Sequence, residues 1–368
     1  METIQIETNV VVVNNEPDFV ADTHENVSAN FVILCEDNVS NLPKNIYEYK
    51  AHGVSLLNWV ARACLAQPMV LRMATDDIVT LIKPYAKGAD YTVVLFANTP
   101  LVNKQHLKDL IAFVDRRHIH ACKLKCGYIF KTEYLQRIDE IYSIDTYDFE
   151  GDDFFEVNTL NDLAYAQEVL GKRILAFHRN NGVLFESESA VFVDAGANLG
   201  YGTTVKSGVS VLGKTSVGTD CKLGSNVVIE GSKIADSVQI EHGAIVENSV
   251  VKVGAKIGAG AVIKNSVIGQ NVIVELGVTL SDSAVKNNSV VGEKCYIKNS
   301  EVKENTFIGD AVSLISARIA ENVKIGSGAV VVGDEDPAIV AAGVEILSGS
   351  VINTVFDAAV SENQEAGE

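Results

Sequence analysis

Ile229-Glu-Gly-Ser-Lys-Ile234-Ala-Asp-Ser-Val-Gln-Ile240-Glu-His-Gly-Ala-Ile-Val246 sets an aliphatic residue at steps of five, six and six, and then starts again. The 17-residue return continues in three columns. The first runs Ile229, Val246, Ile263, Leu280, Ile297, Leu314 and Val331; the second runs Ile234, Val251, Ile268, Val285, Val302 and Ile319. The third runs Ile240, Ile257, Val274, Val291, Ile308 and Ile325. Upstream the step is six throughout, at Val193, Leu199, Val205, Val211, Val217 and Leu223. Neither a helix period of 3.6 nor a strand period of 2 keeps one residue class in place over such spacings. Three flat faces per coil do, and each coil must stack its rungs on the next because none can bury its apolar side alone.

Glycine and small residues fall between the columns, as in Ile257-Gly-Ala-Gly-Ala and Ile325-Gly-Ser-Gly-Ala, where a corner needs positive φ or close backbone approach. After the first column the corners read Asn248-Ser249, Asn265-Ser266, Asp282-Ser283 and Asn299-Ser300, a stacked ladder of side chains able to satisfy local backbone groups. This hexapeptide pattern resembles the left-handed β-helix of bacterial acyltransferases and of the C-terminal domains of sugar nucleotidyltransferases. The resembled acyltransferases interrupt their coils with a loop over the acyl donor and place a catalytic His nearby. Here the period runs from Ile229 to Val331 without insertion, and His242, the sole His of the repeat, falls at a corner. An exposed corner His is the expectation, and acyl transfer is the least favoured activity.

Acidic residues number 48 against 30 Lys plus Arg, a net charge of −18, which disfavours nucleic acid and anionic membrane as partners. The excess is terminal. Residues 1–30 hold six acidic groups and residues 325–368 hold eight, with no Lys or Arg in either segment. Such ends read as solvated arms, open to protein partners. No apolar run approaches the roughly 18 residues of a membrane span, and the acidic start lacks a basic leader, so a cytoplasmic protein is expected. The six Cys (35, 64, 122, 126, 221 and 295) form no framework and no zinc spacing, and are expected to be core thiols.

From about Asn30 the pattern becomes alternating strand and helix, pointing to an α/β layer domain with a parallel sheet. Strands are expected at residues 31–35 and 91–96. Helices are expected at 55–66, 76–86, 104–117 and 132–141, with a longer one at 159–177, softened at Gly171, joining the two halves.

Three stretches of this half resemble the bacterial N-acetylglucosamine-1-phosphate uridyltransferase family. Asn41-Leu-Pro-Lys44 resembles the Pro-Lys after the family's nucleotide loop. Val94-Leu-Phe-Ala-Asn98-Thr-Pro-Leu101 is similar to the strand ending in a metal-binding Asp. Glu156-Val-Asn158, Asn161-Asp-Leu-Ala-Tyr-Ala-Gln167 and Asn181-Gly-Val183 resemble the linker helix and its exit into the β-helix. The resemblance implies an α/β nucleotidyltransferase-like (Rossmann-like) domain followed by a left-handed parallel β-helix of hexapeptide repeats, assembled as a trimer.

The departures bear on function. Where the family has a Gly-rich, Arg-bearing loop, this chain reads Glu36-Asp37-Asn38-Val39-Ser40, which would repel a triphosphate. Asn98 stands for the metal Asp, leaving neutral Asn158 as the other member of the pair, a poor Mg²⁺ site. Lys123-Leu-Lys125-Cys-Gly127 stands for the segment that contacts the sugar, and only Gly127 survives. Lys44, Asn98, Gly127 and Asn158 are thus the candidate, vestigial substrate-binding residues. Asn158 also reads as an N-cap for the following helix, and Arg116, Arg117, His118 and His120 as local complements of a helix C-terminus.

The expected organisation is an acidic arm (1–29), a reduced nucleotidyltransferase-like domain (30–158), a linker helix (159–182), the β-helix (183–339), and a cap with an acidic tail (340–368). The expected function is a noncatalytic structural or binding scaffold with no catalytic residue, metal or cofactor. The alternatives are an active, Mg²⁺-dependent nucleotidyltransferase making a nucleotide sugar from a hexose-1-phosphate and, behind it, a β-helix acyltransferase.

Overall fold

The computed structural model describes residues 27–36, 44–73, 77–141, 145–146, 154–353 and 355–356. The arm through residue 26, the loop at 37–43 with Asp37 to Ser40 and Asn41 to Pro43, and the tail from residue 357 lie outside the described residues. The chain divides into two compact units, Met1–Leu170 and Gly171–Glu368.

In the first unit a six-stranded sheet runs in the order Met69–Arg72, Ala29–Cys35, Tyr91–Phe96, Gly127–Lys131, Ala121–Leu124, Asp145–Thr146. Ala29–Cys35 pairs parallel with both neighbours, as an α/β layer domain demands. The sheet is nevertheless mixed, because Gly127–Lys131 runs antiparallel to both Tyr91–Phe96 and Ala121–Leu124. Alternate residues of Ala29–Cys35 serve opposite faces. Phe31, Ile33 and Cys35 pack with Val60 of helix Leu56–Ala63 and with Leu107 and Leu110 of helix Lys104–Arg116. Val32 and Leu34 pack with Val79 and Ile82 of helix Ile78–Ile82 and with Leu135 of helix Thr132–Leu135. Ser55, Asp77 and Asn103 cap the first three of these helices by accepting a backbone N–H three residues on, at 3.3, 3.1 and 2.9 Å.

The joining helix runs Leu160–Asn180 without a break at Gly171. One interior Gly costs about 1 kcal/mol, and strong ends outweigh it. At the start, Thr159 Oγ1 accepts the Asp162 N–H (3.2 Å) while Asp162 accepts the Thr159 N–H (2.9 Å), a reciprocal capping box. At the end, Gly182 (φ +85°) donates to Arg179 O (3.0 Å) and Val183 to His178 O (3.1 Å), a Schellman closure.

The second unit is the left-handed parallel β-helix. Three sheets of ten short parallel strands each, among the described residues, take one strand per coil. The first face stacks Val211, Ile229, Val246 and their successors, the second Val217, Ile234 and Val251, the third Leu223, Ile240 and Ile257, all buried. A buried aliphatic side chain contributes about 1.5–3 kcal/mol, so three rungs per coil form the continuous core. Residues expected to cap the open end instead continue it. Val340, Ile346 and Ile352 take the three rung positions of a further coil, paired to Ile319, Ile325 and Val331. Four extra residues between Val332 and Ala338 hide this from a 17-residue count. They form a closed loop, with Gly333 N–H on Ile315 O (2.9 Å) and Ala338 N–H on Ser316 O (3.0 Å).

Both glycine demands of the corners occur side by side. Gly260 takes φ +63°, whereas a Cβ on Gly258 would meet the Glu275 carbonyl carbon at 2.5 Å. At the corner between the first and second faces, Asn248, Asn265, Asp282 and Asn299 hold φ of 47–50°. The buried serine after each carries a ladder. Ser249 Oγ donates to Glu247 O (2.6 Å) and accepts the Ser266 N–H (3.0 Å); Ser266 Oγ then serves Ser283 in the same way (3.1 Å), and Ser283 serves Ser300 (3.0 Å). Replacing Ser266 by Ala strands the buried Ser283 N–H; chemical denaturation should show a loss of about 1–3 kcal/mol.

His178, at the end of the joining helix, is 3% exposed, its Nδ1 finds no partner among the described residues, and burial pushes its imidazole down to about 4. Below the ordinary value near 6.5 the unfolded chain takes up a proton that the folded chain refuses. Stability should therefore fall between about pH 6.5 and 4, by about 2–3 kcal/mol. His178→Leu should lack that increment when denaturation midpoints are compared across pH.

Candidate functional site

In sheets of this kind ligands gather beyond the carboxyl ends of the parallel strands. Ala29–Cys35 ends there at Glu36, and Tyr91–Phe96 ends at Ala97-Asn98. The segment before the joining helix returns to the same place, with the Val157 N–H on Asn98 O at 2.9 Å. This brings Asn98 and Asn158 together: the Asn98 amide Nδ2 donates to Asn158 Oδ1 at 2.9 Å. Asn158 Nδ2 in turn donates to Glu156 Oε2 at 3.2 Å. The two positions that resemble a metal-binding pair are thus adjacent, as two neutral amides bonded to each other.

Asn158 does not cap the helix. Thr159 does, through the Asp162 box described above, so the Asn158 side chain is spent on Asn98 and Glu156. The spacing Thr159-x-x-Asp162 is a start signal visible in the sequence and was the better reading. Glu156 was also missed. Its carboxyl is exposed, and the Cys126 thiol is pushed up first by burial, then by the nearby Glu156 carboxylate, with Glu36 adding to the effect. The strand end therefore collects two carboxylates, Glu36 and Glu156, around one inert thiol.

Gly127 has a structural reason to be glycine. Its φ is +131°, and a Cβ there would lie 2.4 Å from Val94 O on the neighbouring strand. Lys123 and Lys125, in the stretch standing for a sugar-contacting segment, are exposed on a hairpin whose turn is Lys125-Cys126. Lys44 is exposed with its ammonium 4.4 Å from the Tyr49 ring centroid, a cation–π contact. The basic cluster is likewise locally engaged: Arg116 Nε donates to Ala112 O (3.1 Å), Arg117 lies over Phe113, and His120 stacks on Tyr134. His242 sits exposed on a β-helix corner, its imidazole without a hydrogen bond among the described residues. All six Cys are buried thiols, none of them in a disulfide.

Among the described residues, the hollow at the strand end, lined by Leu34, Glu36, Tyr47, Phe96 and Asn98, offers about 10 Å³, room for one water. Mg²⁺ asks for an octahedron of oxygens anchored by carboxylate. Asn158 Oδ1 is taken by the Asn98 amide and neither side chain carries charge, so this pair does not fit the cation of the resembled family. Among the described residues no group of three or more His, Cys, Asp or Glu is placed to hold a metal, and no helix is long and apolar enough to cross a membrane.

No protein-family model matches the chain. Curated relatives include the bifunctional protein GlmU of Clostridioides difficile (strain 630), 24% identical over 256 residues, covering 50% of this chain and 56% of that protein. The GlmU of Enterococcus faecalis is 32% identical over 96 residues (25% and 21% covered), and that of Lactobacillus delbrueckii subsp. bulgaricus 35% over 94 residues (25% and 19%). The matched stretch thus spans from about a fifth to just over half the length of these relatives. Among solved structures, a cytidylyltransferase from Leptospira borgpetersenii aligns at TM-score 0.30 with 13% identity, over 38% of this chain and 84% of that one. The Francisella novicida UDP-N-acetylglucosamine acyltransferase aligns at 0.20 with 18% identity, over 46% and 62%. Overlaps at those scores carry no argument. The sequence relatives do bear out the resemblance read from the motifs: the chain is sugar-nucleotidyltransferase-like.

Proposed function

We propose that this chain is a noncatalytic, sugar-nucleotidyltransferase-like protein of the cytoplasm, working as a homotrimeric scaffold or binding protein assembled through its β-helix. The observation that carries the reading is the Asn98–Asn158 hydrogen bond. Nucleotidyl transfer needs a divalent cation and preorganised positive groups on the phosphates. Here the pair that would anchor the cation is neutral and joined by a hydrogen bond, carboxylates Glu36 and Glu156 lie at the same strand end, and Lys44 lies over Tyr49. The β-helix keeps every rung it needs for a rigid stem, and the acidic composition of the two end segments suits protein partners. The adjacency of Asn98, Asn158 and Glu156 favours, as the second reading, an active transferase with a rebuilt metal site.

Pyrophosphate release by purified protein, with Mg²⁺ and a panel of nucleoside triphosphates and hexose-1-phosphates, separates the two. The scaffold reading expects no release above the protein-free control and no effect of Lys44→Ala. Release that Lys44→Ala abolishes would overturn it.

A further inference from the structure

A trimer turning about an axis parallel to the coils brings unlike faces of neighbouring copies together level by level, because a cyclic interface is heterologous. Each of the three corners of the β-helix offers one such pairing: the strand before it on one copy against the strand after it on the next. The outward residues beside the corners therefore decide which one can face the axis.

At the corner between the second and third faces, Lys252 would meet Lys256 on the same coil; Lys286 and Lys303 are held by Glu301 of their own chain at 3.5 and 3.0 Å, and Lys324 adds a further positive charge. At the corner between the third and first faces, Glu241 and Glu275 meet Ile245 and Thr279 and find no cation. The corner between the first and second faces differs. There Glu230 stands level with Lys233, and four coils further on the order reverses, Lys298 level with Glu301. Between them the levels pair Ser281 with Ala284 and Lys264 with Val267, so no like charges meet. Within one chain Glu230, Lys233 and Lys298 make no ion pair among the described residues, whereas Glu301 already meets Lys303 at 3.0 Å and Lys286 at 3.5 Å.

Two features at the far end of the same corner agree. The loop inserted after Val332 projects Asp334 and Glu335, both exposed, beside exposed Arg318, which likewise has no ion pair among the described residues. Between that loop and the Asn265, Asp282 and Asn299 side chains runs a groove of about 520 Å³. The insertion leaves strand pairing intact, since Ala338 and Ile339 resume register with Ala317 and Arg318. It is therefore not needed to close the coil, and it places anions where a neighbour's Arg318 would arrive.

We propose that the edge between the first and second faces is the surface through which copies of this chain meet, Glu230 and Lys298 of one copy against Lys233 and Glu301 of the next, with Arg318 reaching the neighbour's Asp334–Glu335 loop. This rests on the trimeric reading above and specifies its interface. At about 4.8 Å per coil, ten levels give an edge roughly 48 Å long. A contact on the order of 15–20 Å wide then approaches the roughly 800 Å² per partner of a stable interface.

The test is molar mass by light scattering across a dilution series of the full chain, for wild type, Lys233→Glu, Arg318→Glu and the third-face control Lys256→Glu, with thermal melts confirming an intact fold. The proposal expects each edge reversal to raise the dissociation midpoint at least tenfold, equivalent to about 1.4 kcal/mol, and Lys256→Glu to leave it unchanged or lower. Trimers insensitive to both edge reversals would overturn this interface and leave the trimeric reading standing. Dissociation by Lys256→Glu alone would move the contact to another edge. A wild type monomeric at every concentration would overturn both.

Discussion

Coil must sit on coil in register, and the rest of the β-helix depends on that constraint. Parallel strands two or three residues long contribute little alone. Stacked ten deep, their rungs make one apolar column that no water reaches, and the Ser249 to Ser300 ladder pins one corner by giving each buried serine N–H a hydroxyl from the coil before. The insertion at residues 334–337 respects the constraint. Its neck is closed by two backbone hydrogen bonds, so extra chain leaves the surface without shifting a rung.

In the first unit the parallel strand ends gather side chains at one place, and the two that resemble a metal-binding pair are amides. Asn98 and Asn158 still converge, held by the Val157 to Asn98 backbone bond and by a helix start that does not need Asn158 as its cap. A carboxylate at either position would repel Glu156 unless a cation lay between them. An amide at both positions removes that repulsion and with it the reason for a cation to bind. The backbone of Val94 by itself requires glycine at position 127.

Much of this was legible in the residues. The β-helix could be read because Ile, Leu or Val fills every rung at a fixed step, a signal that needs no tertiary information. It was lost only past Val332, where four residues break the count and the last coil reads as a cap. The α/β domain was legible where runs are long and apolar, as at Tyr91–Phe96. Strands Met69–Arg72 and Ala121–Leu124 were not, since four residues with an exposed Arg72 or Lys123 show no period. The helix expected over 132–141 stops at Leu135, and Ile138 and Ile141 pack on the sheet without it. At the candidate site the residue types were legible, while the Asn98–Asn158 contact, across 60 positions of chain, required the fold.

Mn²⁺ binding followed by electron paramagnetic resonance tests most directly the proposal that paired amides stand where the resembled family holds a cation. Wild-type protein should leave the free-ion signal undiminished, while Asn98→Asp combined with Asn158→Asp should take up about one equivalent, since two carboxylates with Glu156 nearby make a hard oxygen site. Tight uptake of one Mn²⁺ by the wild type, lost when Glu156 is changed to Gln, would contradict the account.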